Sequence, residues 1–405
     1  MTDKRALYLV LAVLAIDAIG IGIVFPILPD LMAKVGAVDN AQGSVWGGVL
    51  MASYAAAQFL FAPIVGSLSD AHGRRPILVA ALGLLALDYV IMALAESFWL
   101  LLVGRTLAGV AGATYITATA YISDISRPEQ RAANFGLIGA AFGIGFVLGP
   151  AIGGLAAGIS VTAPFWIAAI ATTTGMVFAI FYLPESLKEE NKRAFGKRDL
   201  NPFGLIVDAF RVPGLAVPLI CIFVFEFANM VYPTLWAFWT KEIFGWSGLI
   251  IGVTLSAYGI SIAVVQAGIM PLAIRYLGEY RTLIWGLILA ALVMVGFGFT
   301  SVLWIFWILL PLAALTDLVP PTLTAVSANL VSEDRQGLVQ GVIASLASVA
   351  AVIAPLVFTF VFQMFIGDDA VIYLPGAPFV LAAFMVLAIL PVALRMRPSH
   401  AKKAT

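Results

Sequence analysis

Five charged side chains stand where a polypeptide tolerates them least: Asp17, Asp88, Arg105, Glu226 and Asp317 all fall inside long apolar runs. An unpaired arginine at the centre of a bilayer costs about 2.5–3.5 kcal/mol on insertion scales, so Arg105 needs a partner or a wet cavity. Asp17 and Asp88 are the obvious partners. One reading is a static ion network that fixes helix register. The other is chemistry. A carboxylate binds its proton more tightly when desolvated and less tightly beside a cation, so a movement that alters either makes it take up or release a proton. Asp17, Asp88 and Glu226 are the candidates for that coupling. Asp317 lies close to Pro320 and Pro321, which predict a helix break, and both Glu226 and Asp317 can also be read as facing a hydrated vestibule.

The elements that must position these charges follow from composition. With 62% hydrophobic and 11% charged residues, the chain is far more apolar than a soluble protein. Twelve apolar stretches recur: Ala6–Pro29, Val45–Leu68, Pro76–Ala95, Phe98–Ile122, Phe135–Gly158, Ala163–Leu183, Pro213–Thr240, Leu249–Tyr276, Arg281–Ser301, Leu303–Leu330, Gly337–Ile366 and Leu374–Leu394. Each is long enough to cross a membrane as a helix. The first is too long for a signal-peptide core, lacks a small-residue cleavage site and contains Asp17, so it is expected to be retained. One long polar segment separates residues 1–183 from 213–405; spanning 184–212, it is expected to be a cytoplasmic loop between two six-helix bundles.

Charge is segregated between the loops. Lys4, Arg5, Arg74, Arg75, Arg127, Arg131, Lys197, Arg198, Arg211, Arg275, Arg281, Arg335, Arg395, Arg397, Lys402 and Lys403 all fall on one side of an even number of spans, and only Lys34 and Lys241 on the other. The positive-inside rule then places both termini in the cytoplasm. The halves resemble each other at an offset of about 204 residues: Ser53-Tyr54 matches Ala257-Tyr258, Gly73 matches Gly278, Glu129-Gln130-Arg131 matches Glu333-Asp334-Arg335, and Pro150 matches Pro355. A duplicated unit of this kind predicts a substrate site near the midplane, between the repeats.

Several classes are disfavoured. A formal net charge of +0 gives no argument for nucleic acid. The single cysteine, Cys221, supplies neither a disulfide framework nor a metal cluster, and no metal or other cofactor is expected. No Walker-type loop argues for ATP hydrolysis. His72 and His400 lie in loops or tails, so an enzyme is not expected.

Three strings carry more information. Gly66-Ser67-Leu68-Ser69-Asp70-Ala71-His72-Gly73-Arg74-Arg75-Pro76 joins the second and third spans. Its glycines permit a tight reversal, and Asp70 can pair with a cation across the loop or accept from a neighbouring helix N-terminus. A plain orienting turn would look similar. The fifth span holds Gly145, Gly149, Pro150, Gly153 and Gly154, preceded by Gly139 and Gly143; small residues four apart allow helix backbones to touch, and proline kinks the crossing. The seventh span gathers Phe223, Phe225, Phe227, Asn229, Tyr232, Trp236, Phe238 and Trp239, which suit either a planar, hydrophobic ligand, a cationic one included, or a lipid interface.

The loop string resembles the signature loop of the major facilitator superfamily, and the glycine-proline string resembles the motif that marks its drug/proton antiporters. With Asp17 to Pro29, Leu87-Asp88-Tyr89, Val103-Gly104-Arg105, Leu183-Pro184-Glu185-Ser186-Leu187 and Gly337 to Gly341, the chain is similar to the tetracycline-efflux branch over nearly its whole length. The resemblance implies an all-α membrane protein with the major facilitator fold: twelve transmembrane helices in two pseudo-symmetric six-helix bundles. It implies that Asp17 and Asp88 serve transport with Arg105 as counter-charge, that Gly66, Asp70, Gly73, Arg74 and Arg75 gate the cytoplasmic side, and that Gln266 lines the cavity. The chain departs from the branch at Ala290, where an acid is expected, and at Ile262, where a histidine is expected; both count against tetracycline itself.

The expectation is therefore a proton-coupled antiporter in a bacterial inner membrane. It exports a small amphipathic compound, with protons and membrane lipid as its other partners, and is expected to be monomeric. A carrier of a metabolite, siderophore, sugar or lipid is the alternative; a membrane receptor or membrane-embedded enzyme is a more distant one.

Overall fold

A computed structural model of the chain describes residues 4–112, 114–193, 203–212, 214–328 and 336–396. Lys197, Arg198, Arg335, Arg397, Lys402, Lys403 and the Glu333–Arg335 repeat match lie outside the described residues. Among those described, all regular structure is helical, and twelve helices are long and apolar enough to cross a membrane. They are α1 (Lys4–Lys34), α2 (Asn40–His72), α3 (Arg74–Leu94), α4 (Phe98–Ile125), α5 (Pro128–Ala157), α6 (Ala163–Tyr182), α7 (Ala216–Phe244), α8 (Gly248–Leu277), α9 (Glu279–Phe299), α10 (Leu303–Ala328), α11 (Leu338–Ile366) and α12 (Ala377–Arg395). Each overlaps one of the twelve apolar stretches. Large apolar side chains such as Trp99, Ile170, Phe181, Leu292 and Phe384 are exposed on them, a distribution that suits lipid and not water.

Local chemistry sets the helix ends and irregularities. Asp39 caps α2, its carboxylate accepting from the Gln42 N–H at 2.7 Å. Gly73, at φ +111°, reverses the chain between α2 and α3, and Gly278, at φ +76°, does the same between α8 and α9. These two glycines, matched by the sequence offset, occupy the same left-handed region that side chains disfavour. α1 runs past Pro26 through a short 3₁₀ turn at Phe25–Ile27, so it extends to Lys34 and not only to Pro29. α8 contains a π turn at Val265–Ile269, directly ahead of Pro271. α10 changes to a 3₁₀ turn at Thr316–Leu318. Pro320 and Pro321 supply no N–H to the carbonyls four residues back and crowd them, which accounts for the break predicted beside Asp317.

The chain forms two compact units, Met1–Pro202 with Thr240–Ala257, and Phe203–Trp239 with Tyr258–Thr405. In the first, α1 packs along α5 through a seam of small residues, because lipid tails offer helices no hydrophobic drive to associate and close packing must supply it. A Cβ at Gly149 would stand 2.7 Å from the Ile19 carbonyl oxygen, and one at Gly153 2.6 Å from that of Ile23. Gly139 and Gly143 are not on this seam: a Cβ at either would meet nothing within 4 Å. They sit two residues out of phase with Gly145, Gly149 and Gly153, hence on another face. The Thr240–Ala257 segment is held in the same unit by Lys241 pairing with Asp30 at 2.5 Å, Asn40 Nδ2 donating to Glu242 at 2.7 Å, and Ser256 Oγ donating to the Val147 carbonyl at 2.7 Å. Gly154 meets the Gly248–Leu249 backbone.

Candidate functional site

In the first unit, α1, α2, α3 and α4 bring together Asp17, Tyr54, Asp88, Tyr89 and Arg105. Arg105 and Asp88 form a buried ion pair, Nη2 on Oδ2, supported by Nε donating to Asp88 Oδ1 at 3.3 Å. Gly104 makes the approach possible, since a Cβ there would lie 2.8 Å from Asp88 Oδ1. Rings of Tyr54 and Tyr89 face the guanidinium, with centroids 5.6 and 5.9 Å from Cζ. Cation–π attraction of this kind is worth about 0.5–2 kcal/mol, more where water is excluded.

Asp17 is different. It is only 3% exposed, yet its Oδ1 has no hydrogen-bond partner among the described residues. Arg105, committed to Asp88, influences Asp17 through space. The sequence nominated both acids as partners of the arginine; the structure gives the contact to Asp88 and leaves Asp17 nearby with an open acceptor. A buried acceptor left unmade costs about 1–3 kcal/mol, so such an atom needs an occupant during some part of a working cycle.

At the signature loop, Arg74 Nη1 reaches Asp70 at 2.5 Å and Ser69 Oγ at 3.0 Å, while its Nε reaches Asp124 at 3.2 Å. Glu185 belongs to the string Leu183 to Leu187. Its carboxylate accepts from four backbone N–H groups: Arg74 at 2.8 Å, Arg75 at 3.2 Å, and Ser186 and Leu187 at 2.9 Å each. An anion at the orphan N–H groups opening α3 is favoured by those groups and by the helix dipole. Ser186 Oγ closes the network on Asp124 at 3.1 Å. Gly73 must be small because Glu185 occupies the space its Cβ would take. Gly66 has ordinary room beside Ile116, and the Arg75 guanidinium donates to the Ile180 carbonyl. Sequence spacing does not reveal Asp124 and Glu185, which lie 50 and 111 residues from Arg74; the acid following Leu183-Pro184 is the signal the sequence offers.

In the second unit, Asp317 in the 3₁₀ turn of α10 accepts from the Tyr258 hydroxyl of α8 at 3.1 Å. Glu226 on α7 lies within electrostatic reach of Asp317. The Tyr258 ring stacks against Tyr232 and Trp236, with interplanar angles of 26° and 25°. Most aromatics gathered in the seventh span are core: Phe225, Tyr232, Trp236, Phe238 and Trp239 are buried, and Trp236 and Trp239 pack on Phe297 and Phe306. They do not form an open ligand face. Gln266 is exposed within the π turn of α8. Ala290 is fully buried, and Ile262 packs against an apolar cluster of Val265, Ala314 and Leu318. Both departures from the tetracycline-efflux pattern therefore sit in apolar packing.

A bundle of membrane-crossing helices with charges buried inside it defines a multi-pass membrane protein whose interior is built for polar traffic. The sequence profile of the Major Facilitator Superfamily matches residues 10–237 and 218–405. Among individual relatives, the class C tetracycline resistance protein of Escherichia coli is 37% identical over 89% of this chain and 91% of its own length. The quinolone resistance protein NorA of Staphylococcus aureus is 27% identical over 88% and 89%. Among solved structures, a bacterial homologue of the human lysosomal transporter Spinster superposes with a TM-score of 0.80 at 13% identity, covering 98% of this chain and 97% of its own, which speaks for the fold alone. The chain belongs to the major facilitator superfamily.

Proposed function

We propose that this protein exports a small amphipathic drug-like compound in exchange for protons, by alternating access. The tetracycline- and quinolone-resistance relatives support the cargo class, and the glycine-proline seam of α5 supports exchange over symport. The observation that carries the mechanism is the division of labour around Arg105: Asp88 neutralises it, and Asp17 remains buried with an acceptor unused. A fully committed ion network would fix the helices without being able to respond. An unsatisfied carboxylate beside it can hold a proton in one state and a substrate donor in another. Glu226 and Asp317, with Tyr258, offer a second carboxylate site, and Gln266 a polar lining position.

In this reading Asp70, Arg74 and Arg75, braced by Asp124 and Glu185, form the cytoplasmic gate. The protein works as a monomer in a bacterial inner membrane, with both termini in the cytoplasm. The deciding experiment holds purified protein in proteoliposomes under a pH gradient and adds tetracycline with magnesium, norfloxacin, sugars and amino acids in turn. Proton release triggered by a drug and abolished in Asp17→Asn is the expected result. Release with a sugar or amino acid only, or drug flux indifferent to the gradient, would replace this reading by that of a metabolite carrier.

A further inference from the structure

The hydroxyl of Tyr54 is the second unpartnered polar atom of the first unit's charge cluster. It is buried and, among the described residues, has no hydrogen-bond partner, as is true of Asp17 Oδ1. The two groups sense each other electrostatically, and both sense Arg105. A hydrogen bond from Tyr54 to Asp17 would satisfy both atoms at once, yet it is not made. The ring explains why: Tyr54 lies against the Arg105 guanidinium, 5.6 Å from centroid to Cζ, and that placement fixes where its hydroxyl can go. Asp88 is spoken for by Arg105, so it cannot supply the missing partner.

Close to this hydroxyl stands a residue with no side chain. At Gly112 a Cβ would stand 2.8 Å from Tyr54 Oη and 3.1 Å from Gln58 Nε2. Gln58, one turn along α2, donates to the Gly112 carbonyl at 3.2 Å and is thereby fixed in place. The cluster thus presents a carboxylate oxygen that can only be satisfied by a donor while ionised, and a phenol that can donate to an acceptor.

We propose that Tyr54 Oη and Asp17 Oδ1 are the two halves of one binding site, which takes from the exported compound a head group offering a donor and an acceptor side by side, as a primary carboxamide does. This rests on the drug-export reading above and adds the part of the cargo that the first unit recognises. The Tyr54 hydroxyl donates to the carbonyl of the head group, and Asp17 accepts from its N–H. The ring of Tyr54 keeps its separate task of facing Arg105. A site built to hydrogen-bond a head group in this way discriminates strongly against an analogue lacking it, because the buried atoms are then left unmet.

The test measures binding to the full-length protein in lipid nanodiscs, using tetracycline, which carries a carboxamide, and tetracyclinonitrile, in which that amide is dehydrated to a nitrile. Tyr54→Phe keeps the ring on Arg105 and removes only the hydroxyl. In the wild-type protein tetracycline is expected to bind about a hundredfold more tightly than the nitrile, about tenfold for each of two buried hydrogen bonds, and in Tyr54→Phe that preference is expected to fall to about tenfold, the share of the Asp17 contact. Gly112→Ala, which crowds the same hydroxyl, is expected to reduce the preference with thermal stability little changed. Equal weakening of both ligands by Tyr54→Phe would mean a structural role or a water-bridged hydroxyl, and would overturn the proposal. So would an unchanged preference. Failure of the wild-type protein to bind either compound would overturn the proposal too, while the export reading stands or falls separately on the proton-release measurement with norfloxacin.

Discussion

Asp88→Asn is the sharpest test of the charge cluster, because it removes one charge while keeping the side chain's shape. Arg105 is then left buried without its ion-pair partner, with two tyrosine faces and the through-space influence of Asp17. Two unit charges about 4 Å apart interact by about 4 kcal/mol at an effective dielectric near 20. Removing one partner of a buried pair costs about 3–5 kcal/mol by experience with other proteins. The two routes agree, and the cation–π contacts that remain recover at most about 2 kcal/mol of a charge already counted in both states. With an unfolding entropy of about 2.1 cal/mol/K per residue, a chain of 405 residues shifts by about 1.2 °C per kcal/mol, and the unfolding midpoint should fall by about 4–6 °C. The assay is thermal unfolding in nanodiscs followed by tryptophan fluorescence, run beside Arg105→Gln and the double variant. Neutralising both partners should recover much of the loss, since a matched neutral pair leaves no uncompensated charge. A midpoint within about 1 °C of wild type for Asp88→Asn, or a double variant as unstable as the sum of the singles, would refute the assignment of Asp88 as the counter-charge.

Two further outcomes follow from the geometry. Gly149→Ala drives a methyl to 2.7 Å from the Ile19 carbonyl and 2.8 Å from the Gly22 Cα, both backbone, and should cost about 1–3 kcal/mol of stability together with most transport, whereas Gly139→Ala meets nothing within 4 Å and should be neutral or slightly stabilising in the same melting assay. Glu185→Ala frees the backbone N–H groups of Arg74 and Arg75, so limited trypsin digestion should cut the Arg74–Arg75 bond faster by severalfold; Glu185→Gln, which keeps one acceptor oxygen, should fall between the two.

The sequence made the scaffold legible because hydropathy in a membrane chain is nearly a direct reading of helices: a span must satisfy its own backbone, so apolar length and helix coincide. Arg105 announced its need for a partner for the same reason. What it could not announce was the choice between Asp17 and Asp88; the absent side chain of Gly104 leaves the Asp88 carboxylate its space. Gly139 and Gly143 share the spacing of the seam glycines but not their phase, and the face of α5 that meets α1 is a tertiary fact. The aromatic richness of α7 was equally ambiguous. Burial of Trp236 and Trp239 against Phe297 and Phe306 comes from α9 and α10, about 60 or more residues away in the chain. Glu185 illustrates the remaining gap, since a carboxylate that collects backbone N–H groups from two separate segments leaves no periodic trace.

The π turn of α8 has a consequence for how this helix tolerates change. A π turn closes on the fifth residue and so stores one residue more than the regular helix needs. Deleting a single residue between Val265 and Ile269 would let the turn relax into α geometry, leaving both flanks of the helix in register with their neighbours. The same deletion a turn earlier, within Gly248–Val264, would swing one part of the helix by about 100° and turn buried residues such as Ile251 and Thr254 away from their neighbours. Helix α8 therefore carries a built-in slack link, and natural length variation, if this helix shows any, belongs at that link.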